Sequence, residues 1–489
     1  MKILLINPHS SLIAKSWAYS RFFTPIAPLG LAYIAAVLRN NGFSVEIIDQ
    51  FAQQMNEDDL LSAIKDKNPD VVGFAALTPV VPDLRRICSR LRQEGGKAFI
   101  VMGNIHATCF PDEMLAEGYA DAVVRGEGEF SMLELCQRLK NRQDLSGVAG
   151  VSYRSGAKII HNPDRPLMDD LDVLPYPAWD LLDPDLYTEV PLAAIQRARA
   201  LPIMFSRGCT HRCYYCSQDK LYPSVRVRRL ESVVDEMDHF NRTMGTRFFG
   251  YNDAYFPLDE QMGLDFCRLV IERGLDKRLK WCVETRVDKV SASLLKQMKA
   301  AGCHLIMFGV EVGNTAVLDR LNKGTTLDQA REALRLTRAS GIISQGLFIL
   351  GLPGETVATC EDTIRFAKEL DCDLVKFNIA MPYPGSRFFE DYRRSHALAG
   401  YEKFTSWVDW TGDSGELVYS PEGMSGQTLR YLQRKAMFSF YFRPRVIFRH
   451  LAGRTISIRN FLLGGAWLIS LFWSAMMHRI FPASSGAKK

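Results

Sequence analysis

The residues whose types and spacing imply the sharpest chemistry lie in Ser206-Arg207-Gly208-Cys209-Thr210-His211-Arg212-Cys213-Tyr214-Tyr215-Cys216, a Cys-x3-Cys-x2-Cys run. On one tight loop, which Gly208 can open, three thiolates at this spacing can converge on one iron–sulfur cube, because cluster iron prefers soft sulfur ligands. A four-iron cube held by three side chains leaves one iron without a protein ligand. An open iron can bind and reduce a small molecule, so the spacing points to chemistry rather than electron storage. The competing readings are a zinc site or three unrelated buried cysteines. Zinc usually takes four tetrahedral ligands arriving as two pairs, and the chain has no second Cys-x2-Cys pair.

Such a loop needs a scaffold to aim it. Short apolar runs at residues 203–206, 247–251, 281–285, 305–310, 346–350 and 374–379 alternate with helical patterns. Six strands at this spacing predict a partial (β/α)6 barrel over residues 195–390, and parallel barrels carry their chemistry on the loops after their strands. Polar residues fall at those ends: Asn252-Asp253, Glu284-Thr285-Arg286, Glu311 flanked by Gly309 and Gly313, Gly351-Leu352-Pro353-Gly354-Glu355, and Pro382-Tyr383-Pro384-Gly385. A carboxylate at Glu311 can accept hydrogen bonds from a ribose or an ammonium. Asp253 orients a substrate or caps the loop that follows it, the cap being the preferred reading. Tyr251, Tyr255 and Phe256 line a cavity or belong to the core.

Residues 1–145 also alternate, with strands expected at 2–7, 45–49, 71–77, 98–102 and 122–124 and helices between them. This pitch predicts a doubly wound, Rossmann-like parallel sheet, which binds ligands beyond the carboxyl ends of its strands. The loops at that edge are residues 8–26, Thr78-Pro79, Gly103-Asn104-Ile105-His106 and Gly126-Glu127-Gly128-Glu129. A dinucleotide site would want Gly-x-Gly-x-x-Gly straight after the first strand, and Asn7-Pro8-His9-Ser10 does not supply it. Residues 146–194, with a short hairpin pattern and Pro163, Pro166, Pro175 and Pro177, read as an ordered linker.

The cysteine loop, with aromatic Tyr215 directly before Cys216, resembles that of the radical S-adenosylmethionine (SAM) enzymes. Through Pro28-Leu29-Gly30, Gly103 to His106 and Gly126 to Glu129, the first domain resembles the cobalamin-binding domain of their cobalamin-dependent (class B) members. Layout and tail are most similar to the anaerobic magnesium-protoporphyrin IX monomethyl ester cyclase and hopanoid-modifying group. The resemblance implies a 4Fe-4S cluster on Cys209, Cys213 and Cys216, with SAM's amino and carboxylate groups on the open iron. It implies SAM contacts from Tyr215, Glu284, Arg286, Glu311, Gly351 and Pro384. It implies cobalamin contacts from Thr78, Gly103, Asn104, His106, Gly126 and Glu127, where glycines 103 and 126 would let backbone approach a flat macrocycle. The Asp-x-His-x-x-Gly cobalt-ligand motif of other cobalamin proteins is absent. Asn7-x-His9 and Asn104-x-His106 only echo it, so a protein-supplied lower axial ligand is not expected.

The implied activity is reductive cleavage of SAM to a 5′-deoxyadenosyl radical that takes hydrogen from an unactivated carbon. Methylation of an apolar lipid, hopanoid or tetrapyrrole would follow. Non-methylating oxidative cyclisation or ring remodelling is the alternative, and a cobalamin-binding sensor or scaffold is a third reading. A flavodoxin- or ferredoxin-like donor would supply the electron. No catalytic side chain stands out.

Composition bounds these readings. A chain of 489 residues, 47% hydrophobic and 24% charged, has material for two or three domains. Its eleven scattered cysteines argue against a secreted disulfide scaffold and for a reducing cytoplasm. The net charge of +5 hides an asymmetry: from Gly423 onward there are eleven Lys or Arg and no Asp or Glu, which leaves −6 on the rest. A basic tail on an acidic body argues against nucleic acid as partner and for an anionic surface, most simply a bilayer. Residues 391–489 are expected to be helical, and 461–477 form a 17-residue uncharged run. A spanning helix needs about 20 such residues, so an interfacial or shallowly inserted segment is expected. Eight basic residues before the run and three after it would hold the body on the cytoplasmic side, peripheral to the inner face.

Overall fold

β1 (Lys2–Asn7) buries four consecutive residues, Ile3, Leu4, Leu5 and Ile6, because helices cover both of its faces. Ile3 and Leu5 join one core cluster and Leu4 and Ile6 another. Around it β2 (Ser44–Asp49), β3 (Val71–Ala75), β4 (Phe99–Gly103) and β5 (Ala122–Val124) pair in parallel in the order β2-β1-β3-β4-β5. The order reverses between β1 and β3, which opens a crevice at their carboxyl ends. This computed structural model describes residues 1–10, 25–116, 118–188, 198–395 and 417–453.

Part of the expected linker belongs to this sheet. β6 (Val151–Ser155) and β7 (Lys158–His161) form a hairpin that adds antiparallel to β5 and extends the sheet to seven strands. The short β5 would otherwise offer unpaired backbone along its edge, and the hairpin covers it.

The strand expected at 203–206 is broken in two. β8 (Ala200–Ile203) ends where the chain leaves the sheet, and β9 (Ser206–Arg207) then pairs antiparallel with β10 (Arg226–Val227). With β8, the strands β11 (Phe248–Tyr251), β12 (Lys280–Arg286), β13 (Cys303–Glu311), β14 (Ile343–Leu350) and β15 (Leu374–Ile379) make the second sheet, all parallel, in the order β15-β14-β13-β12-β11-β8. Alternation sorts their side chains. Ala200, Phe248, Cys282, Leu305, Met307, Ile343 and Leu374 pack together as an apolar floor inside the curve. Their neighbours Phe249, Val283, Phe308, Phe348 and Phe377 point outward to the larger core beneath the helices.

The open edge at β15 is covered by the helix Gly426–Tyr441, which buries Leu429, Leu432, Ala436 and Phe440. Gln433 donates Nε2–H to the Phe377 carbonyl at 2.8 Å, and the Tyr441 hydroxyl donates to Val375 O at 2.9 Å. The following helix, Pro444–Gly453, sends Arg445 and Arg449 to Asp371. Among the described residues no helix is long and apolar enough to cross a membrane. The 461–477 run lies outside the described residues.

Candidate active site

The cysteine loop starts where β9 meets Gly208. That residue has φ +94°, and a Cβ there would collide with the Ser224 carbonyl oxygen, so no other residue fits. Backbone N–H groups of His211 and Gln218 donate to Cys209 Sγ and Cys216 Sγ, each at 3.4 Å, and the Cys216 N–H donates to Cys213 O at 3.1 Å. Burial pushes the Cys216 thiol up to about 11 and raises Cys213 too, and the neighbouring thiols add to the rise in both. A bound iron centre would offset that by favouring thiolate. Among the described residues no three His, Cys, Asp or Glu side chains gather around a single-ion position. Three thiols on one loop fit a cube that takes its thiolates at separate corners and keeps one iron open.

The barrel mouth holds a second constellation. A bulge at the end of β13 puts Glu311 at φ +70°, and its Oε1 meets Lys323 Nζ at 2.5 Å with both side chains under 10% exposed. A Cβ on Gly309 would sit 2.6 Å from each of those two atoms, so the glycine makes room for the pair. The Tyr215 hydroxyl lies 3.5 Å from Lys323 Nζ, and burial with the adjacent Glu311 holds it well above the ordinary phenol range. Tyr215 also packs with Val312, Leu352 and Ala380, at the ends of the fourth to sixth strands of the barrel. Glu284 opens into the barrel interior while sitting deep among protein atoms. Burial, then Glu311, push its carboxyl up. From β15, Lys376 faces the same interior, and burial brings its ammonium down to about 8 against the opposing pull of Glu284.

Sequence reasoning missed Lys323 and Lys376. A carboxylate expected at a strand end inside a barrel requires a counter-ion, and that was the available signal for Lys323, which stands in a turn between Asn322 and Gly324.

Of the other expected SAM contacts, Arg286 lies within electrostatic reach of Cys213, but Asp288 holds its guanidinium at 2.9 and 3.0 Å. Gly351 begins a turn that closes on itself, with Glu355 Oε2 accepting from the N–H groups of Gly351 and Leu352 at 2.7 and 2.8 Å. Pro384 is buried beside Gly385, whose missing Cβ leaves room for Lys220 and Cys109. Asp253 does not cap the loop after it. Its carboxylate accepts from the backbone of Phe205 and Ser206 and from Ser206 Oγ at 2.8 Å, and so anchors the strand leading into the cysteines. Burial lifts that carboxyl to about 7. Phe256 is core, packed edge-on against Phe205 and Phe266.

The first-domain loops divide by direction. His106 is wholly buried, its Nδ1 3.0 Å from Thr78 Oγ1, and burial followed by Arg85 lowers it to about 3, so the imidazole is neutral. Of the residues expected to contact cobalamin, Thr78 and His106 form a buried bond that ties two loops together. Glu127 also turns inward. Arg207 Nη1 and Arg226 Nη1 donate to its carboxylate at 2.9 and 2.8 Å, and Met168 N–H does so at 3.1 Å. What stays open is Asn104, exposed at φ +84°, and Gly126, at φ +66°, where among the described residues nothing lies within 4 Å of where a Cβ would stand. With half-buried Gly103, two positions at this edge carry no side chain, which leaves room for a flat cofactor. This edge also meets the barrel, where Phe110 packs edge-on against Phe389 at 5.7 Å and Cys109 lies beside Gly385.

Comparison with known proteins agrees with this arrangement. The B12 binding domain family matches residues 21–135 and the Radical SAM superfamily matches residues 203–367. An uncharacterized methyltransferase of Pyrococcus horikoshii is 33% identical, over 92% of this chain and 95% of its own length. The anaerobic magnesium-protoporphyrin IX monomethyl ester cyclase of Rubrivivax gelatinosus is 30% identical, over 83% of this chain and 72% of its own. The fold is that of the radical SAM methyltransferase TsrM from Kitasatospora setae, solved with cobalamin and a [4Fe-4S] cluster, with a TM-score of 0.65 and 20% identity over 81% of this chain and 75% of that one. With a first domain whose loop edge meets a barrel that carries three thiols at its mouth, the chain belongs to the cobalamin-dependent radical SAM methyltransferase and cyclase family, enzymes that use a 4Fe-4S cluster, SAM and cobalamin.

Proposed function

We propose that the protein methylates an unactivated carbon of an apolar substrate held in the barrel. The observation that carries this reading is the floor formed by Phe248, Cys282, Leu305, Met307, Ile343 and Leu374, which closes the barrel beneath the mouth with hydrocarbon and leaves Met307 and Ile343 partly open. When bound, the cluster and SAM supply radical chemistry and cobalamin supplies methyl transfer. The chain's own part is to bind, orient and exclude water. Cys209, Cys213 and Cys216 would hold the cluster. Glu311, charge-balanced by Lys323, offers a fixed acceptor for the polar groups of SAM, and Tyr215 walls it from solvent. Glu284 and Lys376 set a polar ring above the floor, so the reacting segment enters past charge and rests on hydrocarbon. An electron donor of flavodoxin or ferredoxin type would reduce the cluster from outside.

The test is SAM carrying a labelled methyl group, supplied to anaerobically reduced enzyme with extract from a deletion strain. Label in a new product supports methylation. Formation of 5′-deoxyadenosine with label wholly outside the product overturns it in favour of oxidative cyclisation or ring remodelling, the chemistry that the name of the Rubrivivax relative carries.

We infer that the basic C-terminal region brings this body to an anionic membrane surface on its cytoplasmic side. Phe448 is 73% exposed on the helix Pro444–Gly453, in a region that from Gly423 onward carries eleven Lys or Arg and no Asp or Glu, a combination that suits anionic headgroups. Removing residues 455–489 is expected to move the protein to the soluble fraction, and unchanged recovery with membranes would sink this reading.

A further inference from the structure

The Gly126-Glu127-Gly128-Glu129 turn, expected to face a cofactor, sends both carboxylates across to the second domain. Arg207 Nη1 meets Glu127 Oε1 at 2.9 Å and Arg207 Nη2 meets Glu129 Oε1 at 2.5 Å. Arg226 lies directly opposite Arg207 in the β9–β10 pairing, and its Nη1 reaches both Glu127 oxygens at 2.8 and 2.9 Å and Met168 O at 3.0 Å. All four side chains are 7% exposed or less. Two acids and two bases thus neutralise one another out of water, with Glu127 shared between both guanidiniums. The Arg207 guanidinium also lies 6.0 Å from the Tyr33 ring and 5.7 Å from that of Tyr222.

Arg207 stands two residues before Cys209, and the one residue between them, Gly208, is wedged against Ser224. The backbone of Phe205 and Ser206, just before it, is held by Asp253. The segment that launches the thiols is therefore fixed on one side by the barrel and on the other by the first domain. Apolar packing could join two domains as firmly as buried charges do. A planar guanidinium fork between two carboxylates adds direction to distance.

We propose that Glu127, Glu129, Arg207 and Arg226 are positioning residues: the first domain's turn sets the angle of the cysteine loop, and hence of the cluster's open iron, relative to the cofactor face. The proposal rests on the cluster reading above, so the wild type comes first. Anaerobically reconstituted protein must hold about four irons per chain and change its reduced-cluster EPR spectrum when SAM is added; absence of either is a failure of that reading and not of this one. In Arg207→Lys, which keeps the charge and loses the fork, iron content and melting temperature are expected to stay near wild type. The SAM concentration needed for the spectral change should rise about tenfold or more, since a displacement near 1 Å can cost about a hundredfold. Arg226→Lys, which also keeps every charge and replaces a single contacting nitrogen, is expected to fall between the two and serves if Arg207→Lys does not fold. SAM titrations superimposable on wild type in the folded variants would show the quartet to be cohesive only and overturn the proposal.

Discussion

The barrel mouth and the loop edge of the first domain carry the same kind of residue, polar side chains at the carboxyl ends of parallel strands, and aim them in opposite directions. In the barrel, Glu284, Glu311 and Lys376 turn into the interior. In the first domain, Thr78, His106 and Glu127 turn into protein and leave Asn104 and glycines 103 and 126 at the open edge. Within a strand, alternation fixes which way a side chain points. In a loop, direction is set by whatever the loop packs against. Specific charge is thus expected to govern binding at the mouth, and shape to govern it at the first domain.

The sharpest way to break that comparison is to remove charge at the mouth. Lys323→Met leaves the Glu311 carboxylate buried without its partner, which is expected to cost about 3–5 kcal/mol of stability and to abolish SAM binding. Adding Glu311→Gln removes the stranded charge, so most of the stability should return while SAM affinity stays low. Denaturant unfolding and equilibrium dialysis with SAM measure the two separately. A double variant that binds SAM within about twofold of wild type would make the pair a packing feature and erase the contrast.

A smaller effect is expected on the other side of the comparison. Burial keeps His106 neutral down to about 3, whereas the ordinary imidazole value is 6.5. The unfolded chain takes up that proton first. The stability from this group is therefore whole above about pH 6.5 and is lost as pH falls toward the folded value, by at most about 1.4 kcal/mol per unit. His106→Gln keeps a hydrogen-bonding group for Thr78 and removes the titration. The stability advantage of wild type over the variant is expected to shrink by about 2 kcal/mol between pH 7 and pH 5, with cobalamin affinity changing little at pH 7. Denaturation curves at both pH values check the first part; a large loss of cobalamin binding at pH 7 would return His106 to the cofactor face.

The same distinction explains what can be read from the sequence. Strand positions and both sheets are legible because β1 is a continuous apolar run and the barrel strands recur at an even pitch. The place of Glu311 at the barrel mouth is legible because it follows directly on an apolar strand. Lys323 is not, since its partner is twelve residues away and only a bulge at Gly309 brings them together. The motif at Gly126 to Glu129 is recognisable, but its direction is not. Arg207 and Arg226 identify themselves as its partners only once Ser206–Arg207 is seen to leave the barrel and pair with Arg226–Val227. The end of the strand expected at 203–206 hides that departure, because Met204 and Phe205 are as apolar as the strand before them.

The smallest expected change in stability tests the backbone face itself. Gly126 and Gly42 share a left-handed backbone, at φ +66° and +78°, and among the described residues nothing lies within 4 Å of either position where a Cβ would go. Alanine at each should cost about 1 kcal/mol from the backbone alone. Gly42 follows the helix Leu29–Asn40 and precedes β2, so it lies at the amino ends of the strands, away from the proposed face. Gly103 is the complementary case: its φ is not positive, and an added Cβ would make only an ordinary 3.8 Å contact with Val124 O. If a flat macrocycle lies against bare backbone, Gly126→Ala should weaken cobalamin binding by about tenfold, the effect of about 1.4 kcal/mol, while Gly42→Ala leaves it unchanged at the same loss of stability. Absorbance titration of cobalamin beside thermal melts of the two variants separates contact from strain. Equal cobalamin affinity in both would mean that the open space at Gly126 is solvent, and the first domain's ligand would then have to be held by side chains after all.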